Sequence, residues 1–136
     1  MEIFWVMPYR LLIVDDEEAI RFAMEDYFTT AGHQVDCTHQ AAEAKALLAQ
    51  SRYAAVIVDL HLTGLQGTEG LDIVSYVRQQ CPATCIIMLT AYGTPDIEHE
   101  ARRRGVDAFL HKPTPLPEIA QVVCAVIRAR DPKPPS

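Results

Sequence analysis

Asp15-Asp16 in LLIVDDEE, Asp59 in AAVIVDLHL, Thr90 in CIIMLTAYG and Lys112 in DAFLHKP each stand at the end of a short apolar run. Carboxylates gathered in one place repel one another unless a cation shares them. The set contains hard oxygen donors and no His or Cys side chain, a combination that suits Mg2+. Magnesium keeps part of its water shell and recruits phosphate oxygens, so a phosphoryl group is the natural guest. Lys112 offers that group a compact positive charge, and Thr90 a neutral hydrogen bond. The chain has no GxxxxGK[ST] loop, and no GxGxxG follows an apolar run. The phosphoryl group is therefore expected to come from a source other than bound ATP.

These residues can meet only if the elements that carry them end on one edge. The apolar runs Leu11–Val14, Val35–Cys37, Ala55–Val58, Cys85–Leu89 and Ala108–Leu110 read as strands buried on both faces, the second of them weakly. Segments of helical period lie between them. Glu17–Thr30 carries Ile20, Ala23, Met24, Tyr27 and Phe28 on one stripe and ends before Gly32. Gln40–Gln50 and Leu71–Gln80 follow, the latter stopped by Pro82. Thr94-Pro95 reads as a cap and first turn of a helix closed by Gly105, and the last helix runs over Leu116–Arg128. Strand and helix alternate five times, which predicts an α/β fold: an open five-stranded parallel sheet, (βα)5 and flavodoxin-like, in strand order 2-1-3-4-5. Five units are too few to close an eight-stranded barrel. In such a sheet every strand's carboxyl end lies on one edge, and ligands bind there, where the strand order reverses.

Composition narrows the setting. The chain has 136 residues, enough for one ordinary domain, with 49% apolar and 22% charged residues. A net charge of -6 disfavours nucleic acid and anionic membrane as partners. Cys37, Cys81, Cys85 and Cys124 show no metal-ligand spacing and read as reduced thiols of a cytoplasmic protein, Cys37 and Cys124 as small core residues. Residues 1–8 read as an N-terminal extension too short to span a bilayer, with Met7 a natural second start. Residues 131–136 read as a tail or the start of a linker.

Asp15-Asp16, Asp59, Thr90-Ala91, Phe109 and Lys112-Pro113, in that order and near-standard spacing, resemble the motif set of response regulator receiver domains of two-component systems. The resemblance covers roughly residues 9–130. It implies that Asp59 is the nucleophile, taking a phosphoryl group from a phosphohistidine on a sensor histidine kinase or phosphotransfer protein. It implies Mg2+ held by Asp16, Asp59 and the backbone carbonyl of His61, with Asp15 acting mainly through water. Lys112 would pair with a phosphoryl oxygen, and Thr90 with Phe109 would form the switch. The resemblance further implies self-catalysed transfer and dephosphorylation rather than turnover of a separate substrate. It also implies a cis Lys112-Pro113 bond, and a homodimer surface on helix four, strand five and helix five.

Departures from the family pattern fall behind Asp59. Leu62-Thr63 stand where the family usually has Met-Pro, and Gly70 lies eleven positions after Asp59, further than usual. The Leu62–Glu69 loop is thus expected to be longer and less stiff. His61 is read either as tuning phosphoryl lifetime or as pointing into solvent. Helix four, anchored by Ile97 and Ala101, is expected to be comparatively mobile. Two alternatives stand beside the main reading: a degenerate receiver that binds partners without phosphorylation, and a small aspartate-nucleophile phosphatase.

Overall fold

The computed structural model describes residues 8–62 and 67–130. Ten elements follow in strict alternation. The strands are β1 (Arg10–Val14), β2 (Gln34–Thr38), β3 (Ala55–Val58), β4 (Cys85–Thr90) and β5 (Ala108–His111). The helices are α1 (Glu18–Thr30), α2 (Ala41–Gln50), α3 (Glu69–Gln80), α4 (Pro95–Arg104) and α5 (Leu116–Arg130). All strand pairs are parallel, and the order is β2-β1-β3-β4-β5, as expected from the alternation.

The two-residue period of a strand sends alternate side chains to opposite faces. Leu12, Val14, Val56, Val58, Ile86 and Met88 meet Ala44 and Leu48 of α2, Val74 and Val77 of α3 and Ala101 of α4. Leu11, Ile13, Ile57, Ile87 and Leu89 meet Met24 and Phe28 of α1 with Ile119, Val123 and Ile127 of α5. The central strands are buried on both sides, which is why they read as unbroken apolar runs. β2 is an edge strand with largely half-exposed residues, so its apolar signal is weak although it is a full five residues long.

The cysteine reading needs one correction. Cys37 and Cys124 are only half-buried, whereas Cys85, which faces α5, is buried. All four thiols are free.

Two helix ends depart from the apolar periodicity. α3 begins two residues before Leu71 because Gly70 packs on the chain leaving β3, where its N–H donates to the Leu60 carbonyl at 3.0 Å. A Cβ on Gly70 would stand 2.2 Å from the Asp59 carbonyl oxygen and 2.7 Å from Leu60 Cα. Both obstacles are backbone, so neither can rotate away. We expect Gly70→Ala to lower stability by about 2–3 kcal/mol despite alanine's better helix propensity. An unchanged denaturant midpoint would refute that close approach.

α5 runs on to Arg130 because its end is tied down. Arg130 Nε and Arg78 Nη2 bind the two carboxylate oxygens of Asp107 at 3.1 Å each, and both arginines donate to the Pro82 carbonyl. This knot joins the ends of α3 and α5 at the edge opposite the carboxyl ends of the strands. No periodic pattern announces it.

α4 is capped as its sequence predicts. Thr94 Oγ1 accepts from the Ile97 N–H, Pro95 opens the helix, and Gly105 closes it with φ 115°. Among the described residues no helix is long and apolar enough to cross a membrane. Residues 1–7, 63–66 and 131–136 lie outside the described residues, and with them most of the proposed extension, the centre of the long loop and the tail.

Candidate active site

The ladder hydrogen bonds do not stop where the strands end. Asp15 N–H donates to the Thr38 carbonyl at 3.1 Å, Asp59 N–H to Val14 at 2.9 Å and Lys112 N–H to Thr90 at 3.0 Å. These backbone bonds fix the origin of each side chain at the carboxyl edge of the sheet. Asp59 is 5% exposed, Asp15 2% and Thr90 0%, so the polar ends of three strands are as buried as the core.

Lys112 gathers the carboxylates. Its Nζ lies 2.9 Å from Asp15 Oδ2, 3.2 Å from Asp59 Oδ2 and 3.2 Å from Glu17 Oε2. Burial alone would pull the ammonium's pKa down, but the bond to Asp15 and the charges of Asp15 and Asp59 raise it above the usual lysine range. Burial pushes the Asp15 carboxyl up to about 6, against the opposing pull of Lys112 and the Glu17 N–H. At neutral pH the Lys112 ammonium therefore stays charged.

One oxygen of the site is left over. Asp59 Oδ1 is buried and accepts no hydrogen bond among the described residues. Asp15, Asp16, Glu17 and Asp59 each present a carboxylate oxygen, and these oxygens lie within 4.8 Å of one another. A buried acceptor without a donor is costly, and a hard divalent cation is the partner that four such oxygens suit. The donor set fits Mg2+.

Asp16 neither reaches Lys112 nor caps α1; it is exposed at the mouth of the cluster. The N-cap of α1 is Glu17, whose side chain makes no capping bond. Its backbone N–H instead donates to Asp15 Oδ1 at 2.9 Å. Glu17 is the site residue that motif reading missed: the DDEE run names four acids and nothing in its spacing separates their directions.

Thr90 and Phe109 are diagonal neighbours on one face of the sheet, since β4 pairs Met88 with Phe109 and Thr90 with His111. Thr90 Oγ1 accepts from the Tyr92 N–H at 3.3 Å. The Phe109 ring is 7% exposed and lies against Gly93, where a Cβ would come within 2.7 Å of it. The Lys112-Pro113 bond is cis. His61 does not simply face solvent: it is half-buried, its Nδ1 bonds the Gly67 carbonyl, and its ring centre lies 5.2 Å from that of Tyr92.

The chain is 33% identical over 124 residues to the response regulator protein PilR of Pseudomonas aeruginosa, covering 91% of this chain and 27% of that protein. It is 35% identical over 112 residues to the sensory/regulatory protein RpfC of Xanthomonas campestris, covering 79% of this chain and 15% of that protein. The chain thus spans less than a third of either relative. A CheY-like response regulator receiver domain protein from Methanospirillum hungatei superposes with a TM-score of 0.85 at 20% identity, over 93% of this chain and 98% of that one. The family model for the response regulator receiver domain matches residues 11–124, and the chain belongs to that family.

Proposed function

We propose that residues 9–130 form a phospho-accepting receiver in which Asp59 takes a phosphoryl group from a phosphohistidine on a histidine kinase or phosphotransfer protein. The observation that carries this reading is the state of Asp59. One carboxylate oxygen is held by Lys112, and the other is buried with no hydrogen-bond donor among the described residues. An oxygen in that state is a nucleophile positioned but not quenched.

In the transfer, an Asp59 oxygen forms a bond to phosphorus while the phosphorus–nitrogen bond of the donor breaks, its electron pair leaving with the imidazole. Lys112 is already within reach of Asp59 and pairs with a phosphoryl oxygen as charge shifts along the line of displacement. Mg2+, with Asp16, Asp59 and the His61 carbonyl as ligands and Asp15 acting through water, would neutralise charge on the phosphoryl oxygens. The readout falls to Thr90 and Phe109. Thr90 is fully buried and lies two residues along β4 from Met88, the register partner of Phe109, on the same face, so a hydroxyl drawn toward the new phosphoryl group opens space that Phe109 can enter. Phe109 has no hydroxyl, so its switch reports packing alone.

Incubation with Mg2+ and acetyl phosphate should add the mass of one phosphoryl group in an acid-stable, alkali-labile linkage. The gain should vanish when the divalent cation is chelated. Absence of any gain in the wild-type chain would favour a binding module that works without phosphorylation. Sustained hydrolysis of a phosphate ester would favour the phosphatase reading.

A further inference from the structure

Glu17 is the one member of the acidic cluster whose side chain pairs with Lys112 and yet faces solvent. It is 53% exposed, against 8% for Lys112 and 2% for Asp15. Its backbone leaves it little choice of place. The N–H is tied to Asp15 Oδ1, and the carbonyl accepts from both Ile20 and Arg21 at 3.1 Å as the first bonds of α1. A residue in this N-cap position ordinarily turns a short polar side chain back onto the helix's free N–H groups. Glu17 makes no such bond, and its carboxylate lies instead over the mouth of the site, within 4.8 Å of the cluster oxygens. Asp15 and Asp59 of the cluster are buried, whereas Glu17 and Asp16 are its exposed members, so a donor arriving from solvent on this side meets the Glu17 carboxylate.

Three carboxylates pair with one ammonium there, and a fourth, that of Asp16, stands beside them. With a divalent cation bound the site still carries net negative charge, and the guest is itself an anion. We propose that Glu17 sets donor specificity: its exposed carboxylate repels small, highly charged phosphodonors from Asp59. This inference rests on Asp59 being the phosphoryl acceptor. A protein-borne phosphohistidine is less affected, because docking elsewhere on the surface holds it in place and its imidazole disperses charge. The reaction itself is unchanged. With acetyl phosphate, an Asp59 oxygen–phosphorus bond forms, the acyl oxygen–phosphorus bond breaks, and acetate leaves with the electron pair.

Electrostatics fixes both the direction and the signature. Two unit charges about 6 Å apart in a solvated mouth interact enough to change a rate roughly threefold per donor charge at low salt. Glu17→Gln should therefore speed phosphorylation by acetyl phosphate, a dianion, by about tenfold, and by phosphoramidate, with one negative charge fewer, by about threefold. Both accelerations should shrink toward unity as ionic strength rises from about 0.01 M to about 1 M and the screening length falls from about 30 Å to about 3 Å. The measurement is the initial rate of mass gain at saturating Mg2+ on the whole chain. A slower Glu17→Gln variant would show that Glu17 instead positions Lys112, and would overturn the proposal. So would an acceleration indifferent to salt or to donor charge. Failure of the wild-type chain to gain a phosphoryl group at all would instead strike the reading of Asp59.

Discussion

Asp59→Asn should abolish the acetyl-phosphate-dependent mass gain while leaving the fold intact. The amide keeps the shape of the carboxylate and an oxygen that can still accept from Lys112, now 3.2 Å from Asp59 Oδ2. It lacks the negative charge that makes a carboxylate oxygen nucleophilic toward phosphorus. No second acceptor stands ready. Asp15 is bonded through one oxygen to the Glu17 N–H and through the other to Lys112, and Asp16 and Glu17 are exposed to water. Intact mass and the far-ultraviolet circular dichroism spectrum decide the matter together. A variant that folds normally and still gains a phosphoryl group would place the acceptor elsewhere.

Replacing Lys112 should hurt twice. In Lys112→Met the apolar stem is kept, but Asp15 and Asp59 lose the counter-charge they share among the described residues while remaining buried. Stripping one partner from a buried ion cluster costs about 3–5 kcal/mol, so the unfolding midpoint of the metal-free protein should drop sharply. Addition of Mg2+ should recover part of that loss, since a cation at the carboxylates replaces the missing charge. The rate of phosphoryl transfer should nevertheless stay down by roughly a hundredfold even with Mg2+ present, in line with the loss of one aimed donor in a transition state. Lys112→Arg should not restore it, because a planar fork cannot sit among three carboxylates as a compact ammonium does. Stability equal to wild type in metal-free buffer would mean that the carboxylates are not sharing Lys112 in solution.

Much of this molecule was legible in its residues because a parallel sheet leaves a blunt trace. Strands buried on both faces must be apolar throughout, so LLIV, AVIV and CIIMLT mark themselves, and the polar residue that ends each run marks the edge of the sheet. Asp15, Asp59, Thr90 and Lys112 were identifiable for that reason, and alternation with amphipathic helices determined the topology. The Thr94-Pro95 start and Gly105 stop of α4 were equally plain, since local backbone chemistry writes them.

The tertiary structure decided what depends on direction and on contacts between distant segments. Nothing in DDEE says that Asp15 turns inward to Lys112, that Asp16 stays in water, or that Glu17 abandons helix capping for the mouth of the site. Those outcomes follow from where β1 ends against β2 and from the Lys112 N–H bond to the Thr90 carbonyl, which sets the lysine at the end of β5. The early start of α3 follows from the room a glycine leaves beside the backbone of β3's exit, and apolar periodicity cannot register a missing Cβ. The Arg78–Asp107–Arg130 knot joins residues far apart in sequence, so only the folded chain could reveal it. The sequence thus determined which groups stand at the edge of the sheet. The fold determined which of them share the Lys112 ammonium, which face water, and which oxygen of Asp59 is left without a partner among the described residues.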